Sequence, residues 1–410
     1  MNPQSPKYHL HTLSNGLRCV FMASEKVGYC GVAVNAGSRD DFRDRFGLAH
    51  FVEHTLFKGT PRRGSQAINN RMESVGGELN AYTTKEETVI YTNFPAGYSD
   101  RALDLLADLV INSCFPAKEL RKEREVVIDE INSYLDSPGE SVFDEFEDRM
   151  YAGSGPGHNI LGTPESVKGL AGEDCRAFLD TYYTPDNMAL YCVDRCKPEA
   201  AFRRMEKYFG SMHLKSSHSL RGTKPALPEP FSCDLQRDSH QAHTIVGARI
   251  PSRHWPERYA LFLLNNYLGG PSMNSVFNRE LREKRAYVYS VDSFVGMLSD
   301  CGLFTVYYGC DREHIVRCEK IIGRVLAQLA ETPMKPALFE KIRRQYLGQL
   351  LVSSDNRESR AISLGKSLLY YGEIHDTDYA AEQIRRVTPE QLRFCAEMIL
   401  NAGLSRLTLL

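Results

Sequence analysis

The stretch Gly47-Leu-Ala-His-Phe-Val-Glu-His-Thr-Leu-Phe-Lys58 decides how this chain is read. As a helix it places His50 and His54 four residues apart on one face, with Glu53 inside an arc of about 100°. The other positions, Phe46, Leu48, Ala49, Phe51, Val52, Leu56 and Phe57, are apolar nearly all round, which is the pattern of a buried helix. Two imidazoles and a carboxylate are costly in such a helix unless something pairs with them. A metal ion would do so. Two neutral imidazoles at i and i+4 grip Zn²⁺, and a neighbouring carboxylate can work on a water at the metal. The order His-x-x-Glu-His inverts the commoner zinc-peptidase motif. The competing reading is two core histidines sharing a hydrogen-bonded glutamate.

Outward from that helix, the chain has the means to bury a large core: 410 residues, 42% of them hydrophobic, suggest two to three domains. With 50 basic and 52 acidic residues, nothing favours nucleic acid or an anionic membrane as a partner. The N-terminus, Met1 to Tyr8, has neither the basic nor the apolar region of a secretory signal, and no apolar run reaches the length of a membrane span. The eleven cysteines are scattered without a Cys-x-x-Cys pair. They read as reduced thiols, so a cytoplasmic location is expected.

The pattern around the central helix predicts strands over 17–23 and 28–37 before it and a stop at Gly59-Thr-Pro61 after it. A helix over 65–75, strands over 78–83 and 88–94, and helices over 97–113 and 117–135 follow. Residues 136–164, rich in Gly, Ser and Pro, read as a long loop. A helix begins after Thr163, and a strand over 188–193 and a helix over 197–209 complete the first half. Residues 211–230 lose the apolar pattern and carry several prolines, so they read as a linker. The second half then repeats the order: strand 242–250, helices 255–267 and 272–284, strands 286–294 and 302–309, and helices 313–331 and 335–352. Helices near 357–370 and 388–400 and a strand over 404–409 close the chain. The repeat implies an α+β fold of two sheet-plus-helix domains, residues 1–210 and 231–410, each with its helices segregated on one side of the sheet. The second copy has no His or Glu where the first has its triplet, so one metal site is expected.

Catalytic zinc needs a third protein ligand and an open position. On the helix 117–135, Glu123 and Glu130 are seven residues apart at the edge of the apolar stripe, whereas Glu125 and Asp129 point away. Either a ligand or a pair of boundary acids bridged to Arg121, Lys122 or Arg124 fits that placement.

At this point the sequence resembles the pitrilysin/insulinase family of zinc peptidases, the short mitochondrial-processing-peptidase branch in particular. That family follows His-x-x-Glu-His with a ligand glutamate about 76 residues on, and His54 to Glu130 spans that interval. The resemblance implies Zn²⁺ bound by His50, His54 and Glu130, Glu53 as general base, and Glu123 supporting the site from one heptad before the ligand. Phe57-Lys-Gly-Thr60, Leu161-Gly-Thr-Pro-Glu-Ser166 and Tyr182-Tyr-Thr-Pro-Asp-Asn-Met188 are further matches. Gly76-Gly-Glu-Leu-Asn-Ala-Tyr-Thr83 resembles the family's edge strand, where Asn80 and Ala81 would pair backbone to backbone with a peptide. Arg279 to Tyr289 resembles a signature of the second half, in which Arg282 and Tyr289 would hold the substrate carbonyl and the oxyanion. Read on its own, that last stretch is an amphipathic helix with a basic face running into a strand. Ala286 stands where the family commonly has glycine, and Tyr191 to Cys196 lacks the usual glycine after that strand.

The resemblance further implies a metalloendopeptidase whose two clam-like halves face each other and enclose a chamber for unfolded peptides, and which pairs as a homodimer. A specific presequence-type processing peptidase and a non-catalytic structural subunit of the same fold are the alternatives. Glu73, Glu78, Glu86 and Glu87 would favour basic peptides if they line the site. A solvated acidic surface is the plainer reading of them.

Overall fold

The computed structural model describes residues 7–212, 221, 224–237 and 239–410. Half of the linker expected over 211–230, residues 213–220, 222 and 223, lies outside the described residues. In chain order the first half holds β1 (His9–Thr12), β2 (Arg18–Ala23), β3 (Val27–Val34), α1 (Leu48–Leu56), α2 (Ser65–Glu73), β4 (Glu78–Thr83) and β5 (Thr88–Pro95). It continues with α3 (Ser99–Asn112), α4 (Ala117–Leu135), α5 (Pro138–Met150), α6 (Pro164–Lys168), α7 (Gly172–Tyr182), β6 (Met188–Asp194) and α8 (Pro198–Phe209). The second half holds β7 (Ser232–Leu235), β8 (Ala242–Ile250), α9 (Arg258–Gly269), β9 (Val288–Met297), β10 (Gly302–Cys310), α10 (Ile315–Glu331) and α11 (Pro336–Ser353). It ends with α12 (Arg357–Tyr371), α13 (Thr377–Arg386), α14 (Pro389–Asn401) and β11 (Ser405–Leu409).

The two sheets run β1-β2-β6-β3-β5-β4 and β7-β11-β8-β10-β9. Apart from the extra β1 the orders are the same: a central strand (β3 or β8) lies beside the strand that closes its half (β6 or β11). In both sheets the hairpin that follows the central strand ends the sheet (β5-β4 or β10-β9). Each sheet has one parallel pair, β2 with β6 and β7 with β11, and is otherwise antiparallel.

Contacts divide the chain into two units that do not follow its linear order. The first runs to Ile131 and adds Asn159–Gly222 and Ser354–Asp376. The second is Asn132–His158, Thr223–Ser353 and Thr377–Leu410. In the first unit α12 packs on β6, β3 and β2; in the second α5 packs on β8 and β11. The sequence reading expected helices on one side of each sheet only, and here each sheet carries a further helix on its second face. The strands show why. Along β6, Met188, Leu190 and Cys192 enter the main core, while Ala189, Tyr191 and Val193 pack with Ala361, Leu364 and Leu368 of α12. A strand buried on both faces alternates between two apolar cores. Gly31 and Gly365 allow this approach, since a Cβ at either would lie within 2.5 Å of the Tyr191 ring.

The helix α5 replaces the loop expected over 136–164. Val142, Phe146 and Met150 recur every four residues and pack with Ile245, Leu407 and Leu409. The misleading Ser137, Pro138 and Gly139 sit at the helix start, where proline is favoured. Strands β1 and β7 and helix α13 were likewise not anticipated. The helix expected over 272–284 is reduced to a short piece whose part Asn278–Glu283 is π-helical.

Candidate metal centre

Helix α1 is locked at its start. Gly47 has φ +87°, and a Cβ there would meet the Leu161 carbonyl oxygen at 2.5 Å. Asp41 accepts hydrogen bonds from the backbone N–H groups of Gly47 (2.7 Å) and Ala49 (2.8 Å), placing negative charge at the helix N-terminus. Ser166 Oγ donates to the Phe46 carbonyl at 2.7 Å, so the Leu161–Ser166 segment is a backbone clamp on the same helix end. At the far end Ser113 Oγ donates to the Leu56 carbonyl at 3.0 Å. Phe51, Val52 and Leu56 are fully buried. The helix therefore presents its polar face in one fixed rotation.

On that face His50 and His54 stand with ring centroids 4.5 Å apart. The Glu130 carboxylate of α4 lies 3.8 Å from His50 Nε2 and 3.5 Å from His54 Nε2. One donor atom from each of the three lies within 4.8 Å of the others, and among the described residues this is the group that could hold a metal. Ligands about 2.0–2.2 Å from a tetrahedral zinc are about 3.4 Å apart, so the donor set fits that ion with little movement. Glu130 is 45% exposed at its side chain and His50 only 9%. The site is thus open on the Glu130 side and closed on the His50 side.

Burial, and then the neighbouring His54, pull the His50 pKa down to about 3, so it presents a neutral ring. Burial also pulls His54 down, but the hydrogen bond its ring donates to Glu123 and the charges of Glu53 and Glu130 outweigh it and raise that pKa. Glu53 is raised by burial and by Glu130, against hydrogen bonds from Thr83 and the charge of His54. Such a carboxyl lies closer to the range useful to a general base. Glu123 does not bridge to Arg121, Lys122 or Arg124. It bonds His54 Nδ1 at 3.0 Å and Lys58 Nζ at 2.7 Å. These two bonds outweigh its burial and lower its pKa. A carboxylate behind a ligating histidine fixes the ring and its tautomer.

Asn80 and Ala81 lie on β4, which has a paired strand on one side only, β5, among the described residues. The last residue of that strand is Thr83, the partner of Glu53. Asp41, Lys58 and Thr83 escaped the sequence reading as site residues. Lys58 alone left a signal there, since it stands four residues after His54. Arg282 and Tyr289 belong to the second unit. Arg282 is exposed in the π-helical piece, and Tyr289 is exposed on β9, its hydroxyl donating to Asp311 Oδ1 at 3.2 Å. Between them Ala286 has φ +51°, the left-handed conformation that explains why glycine suits that turn.

Glu86 and Glu87 are not an acidic surface. Both are buried, Glu86 against Arg39 at 2.6 Å and Glu87 against Lys366 at 2.5 Å. Arg221 adds to this network through Asp40. Glu73 and Glu78 are the exposed acids of the four.

Comparison with known proteins gives the family. Residues 21–164 match the insulinase (peptidase family M16) domain, and residues 170–346 match the peptidase M16 inactive domain. This chain belongs to the M16 peptidase family. An uncharacterised zinc protease of Mycobacterium tuberculosis is 32% identical over 395 residues, 95% of this chain and 90% of that protein. One of Bacillus subtilis is 30% identical, covering 95% of both chains. The mitochondrial-processing peptidase beta subunit of Caenorhabditis elegans is 29% identical over 98% of this chain and 89% of its own. Among solved structures, a protease from Helicobacter pylori superposes with TM-score 0.89 at 22% identity, covering 98% of this chain and 99% of the other. A putative M16-like peptidase from Alicyclobacillus acidocaldarius gives 0.85 at 20%, covering both chains fully. These two share the fold. The inactive-domain match falls mostly on the half that lacks the His-Glu triplet. Among the described residues no helix is long and apolar enough to cross a membrane.

Proposed function

We propose that this chain is a zinc-dependent endopeptidase that hydrolyses unfolded peptides, with its chemistry at His50, His54, Glu130 and Glu53. The convergence of the two imidazoles and the Glu130 carboxylate, with Glu53 on the same helix face, carries this reading. When bound, zinc supplies Lewis acidity to a carbonyl and to a water. The protein's own groups do the rest. His50 and His54 offer Nε2 lone pairs, and Glu123 keeps the His54 ring in place. Glu53 takes a proton from the attacking water and hands it to the departing amine, while Thr83 fixes its carboxyl. The free edge of β4 receives the peptide as an added strand through Asn80 and Ala81, which selects an extended backbone over a particular side chain. We assign the substrate carbonyl to Arg282 and the oxyanion to Tyr289, on the strength of the family and of the placement of Tyr289 on the edge strand of the second sheet.

The intact triplet argues against a purely structural subunit, and the burial of Glu86 and Glu87 removes half of the acidic patch that would select basic presequences. An enclosed chamber and a homodimer complete the proposal, and sedimentation of the purified chain tests the dimer. The deciding experiment is elemental analysis together with cleavage of an unstructured quenched-fluorescence peptide before and after chelation. About one zinc per chain and chelator-sensitive cleavage are expected. A folded chain without zinc or cleavage would overturn the reading.

A further inference from the structure

We propose that Lys58 is a positioning residue of the metal site, clamping Glu123 so that this carboxylate orients His54 from outside and stays out of the coordination sphere. The inference rests on the metal reading above. Lys58 follows His54 by four residues and continues the line of His50 and His54 beyond the end of α1 at Leu56. Its Nζ lies 2.7 Å from Glu123 Oε2, while Glu123 Oε1 lies 3.0 Å from His54 Nδ1. The two oxygens of one buried carboxylate are thus divided between the ring that would ligate and an ammonium group. Both contacts run from α1 and the residues just after it to α4, the helix that also supplies Glu130.

The contrast with His50 shows what this contact is for. His50 Nδ1 is buried and has no hydrogen-bond partner among the described residues. Among the described residues, Glu123 is therefore the side chain that orients one of the two rings from outside, acting on His54. A carboxylate bonded at one oxygen alone can rotate about its last torsion, which has a broad energy profile, and turn its other oxygen toward a nearby dication. That would fill the position a catalytic site keeps open. Lys58 occupies that second oxygen, and Glu123 stands outside the group of donor atoms that converge for the metal. Charge points the same way. Glu53, Glu123 and Glu130, when ionised, exceed a dication by one negative charge, and Lys58 brings the balance to zero where uncompensated charge is costly.

The test is zinc affinity, measured by competition with a chromophoric chelator on the full chain. Lys58→Met is expected to weaken zinc about tenfold, the lower end of the range for partners behind a ligating histidine. Lys58→Arg, which keeps the charge and a donor, is expected to restore most of it. In a Glu123→Gln background Lys58→Met is expected to change nothing further, because the lysine acts through that carboxylate. Thermal unfolding of the metal-free variants checks that each folds, and Lys58→Gln serves in place of Lys58→Met if the latter does not. Unchanged affinity in a folded Lys58→Met chain that still binds zinc would overturn the role of Lys58, as would an equal loss in the Glu123→Gln background. A parent chain that takes up no zinc would instead overturn the metal reading, and this inference with it.

Discussion

In the first unit the helix after the central strand carries His50, Glu53 and His54; in the second the helix after β8 buries Ala260, Leu261, Leu263, Leu264 and Leu268. The long helix α4 buries Glu123 among its apolar residues, and its counterpart α11 buries Phe339 and Ile342. Apart from the extra β1, strand order is the same in both sheets. On these helices of the second unit the buried face is apolar apart from Asn266. The polar residues of α1 and α4 are an addition to that pattern, and their desolvation is acceptable where they pair with one another and with a cation. The edge strands differ in the same manner: β4 bears Asn80, Ala81 and Thr83, while β9 bears Tyr289.

That contrast breaks first at Glu53. Glu53→Gln is expected to keep zinc and lower peptide hydrolysis by about 10²–10⁴, the usual worth of a general base; full activity in this variant would remove Glu53 from the chemistry. His54→Ala is expected to abolish zinc uptake and with it the stabilisation zinc confers, about 4 kcal/mol at a thousandfold excess over Kd. Calorimetry with and without metal reads this directly, and an undiminished shift would place the metal elsewhere.

A pH series sharpens the same point. The raised pKa of His54 means that protons compete for it at a higher pH than for an ordinary histidine, so zinc affinity should begin to fall above pH 6.5 on acidification. His50, with its pKa near 3, should stay neutral throughout. Imidazole NMR shifts of the metal-free chain separate the two; histidines titrating together would contradict the asymmetry of their surroundings.

On the second unit's side, Tyr289→Phe is expected to lower kcat by about 10²–10³ with zinc content intact, as for loss of one oxyanion donor. An unaffected kcat would leave the second unit without a part in the chemistry. The smallest effect is expected at the turn before Tyr289. Ala286→Gly should raise stability by about 1 kcal/mol by relieving the left-handed backbone, measured by denaturant midpoint.

Much of this was legible beforehand. Strand β4 was expected over 78–83 and is observed as Glu78–Thr83, because short alternating strands between glycines and a polar turn leave a local signal. The i, i+4 step placed His50 and His54 on one face. Helix α5 was hidden because its apolar face, Val142, Phe146 and Met150, is completed by strands about a hundred residues or more further along the chain. The acids Glu86 and Glu87 looked solvent-exposed for the same reason, since Arg39, Arg221 and Lys366 come from distant segments.

What the sequence by itself determined is therefore what depends on neighbours a few residues apart: the periodic elements, their repeated order, the His-x-x-Glu-His face and the spacing to Glu130. Only the tertiary structure decided which helix covers the second face of each sheet, that Lys58 and not a neighbouring Arg121, Lys122 or Arg124 pairs with Glu123, and which acids are buried. Those outcomes depend on burial and on pairs of charges brought together across long loops. Both are set by packing between segments remote in sequence, on which local periodicity carries no information.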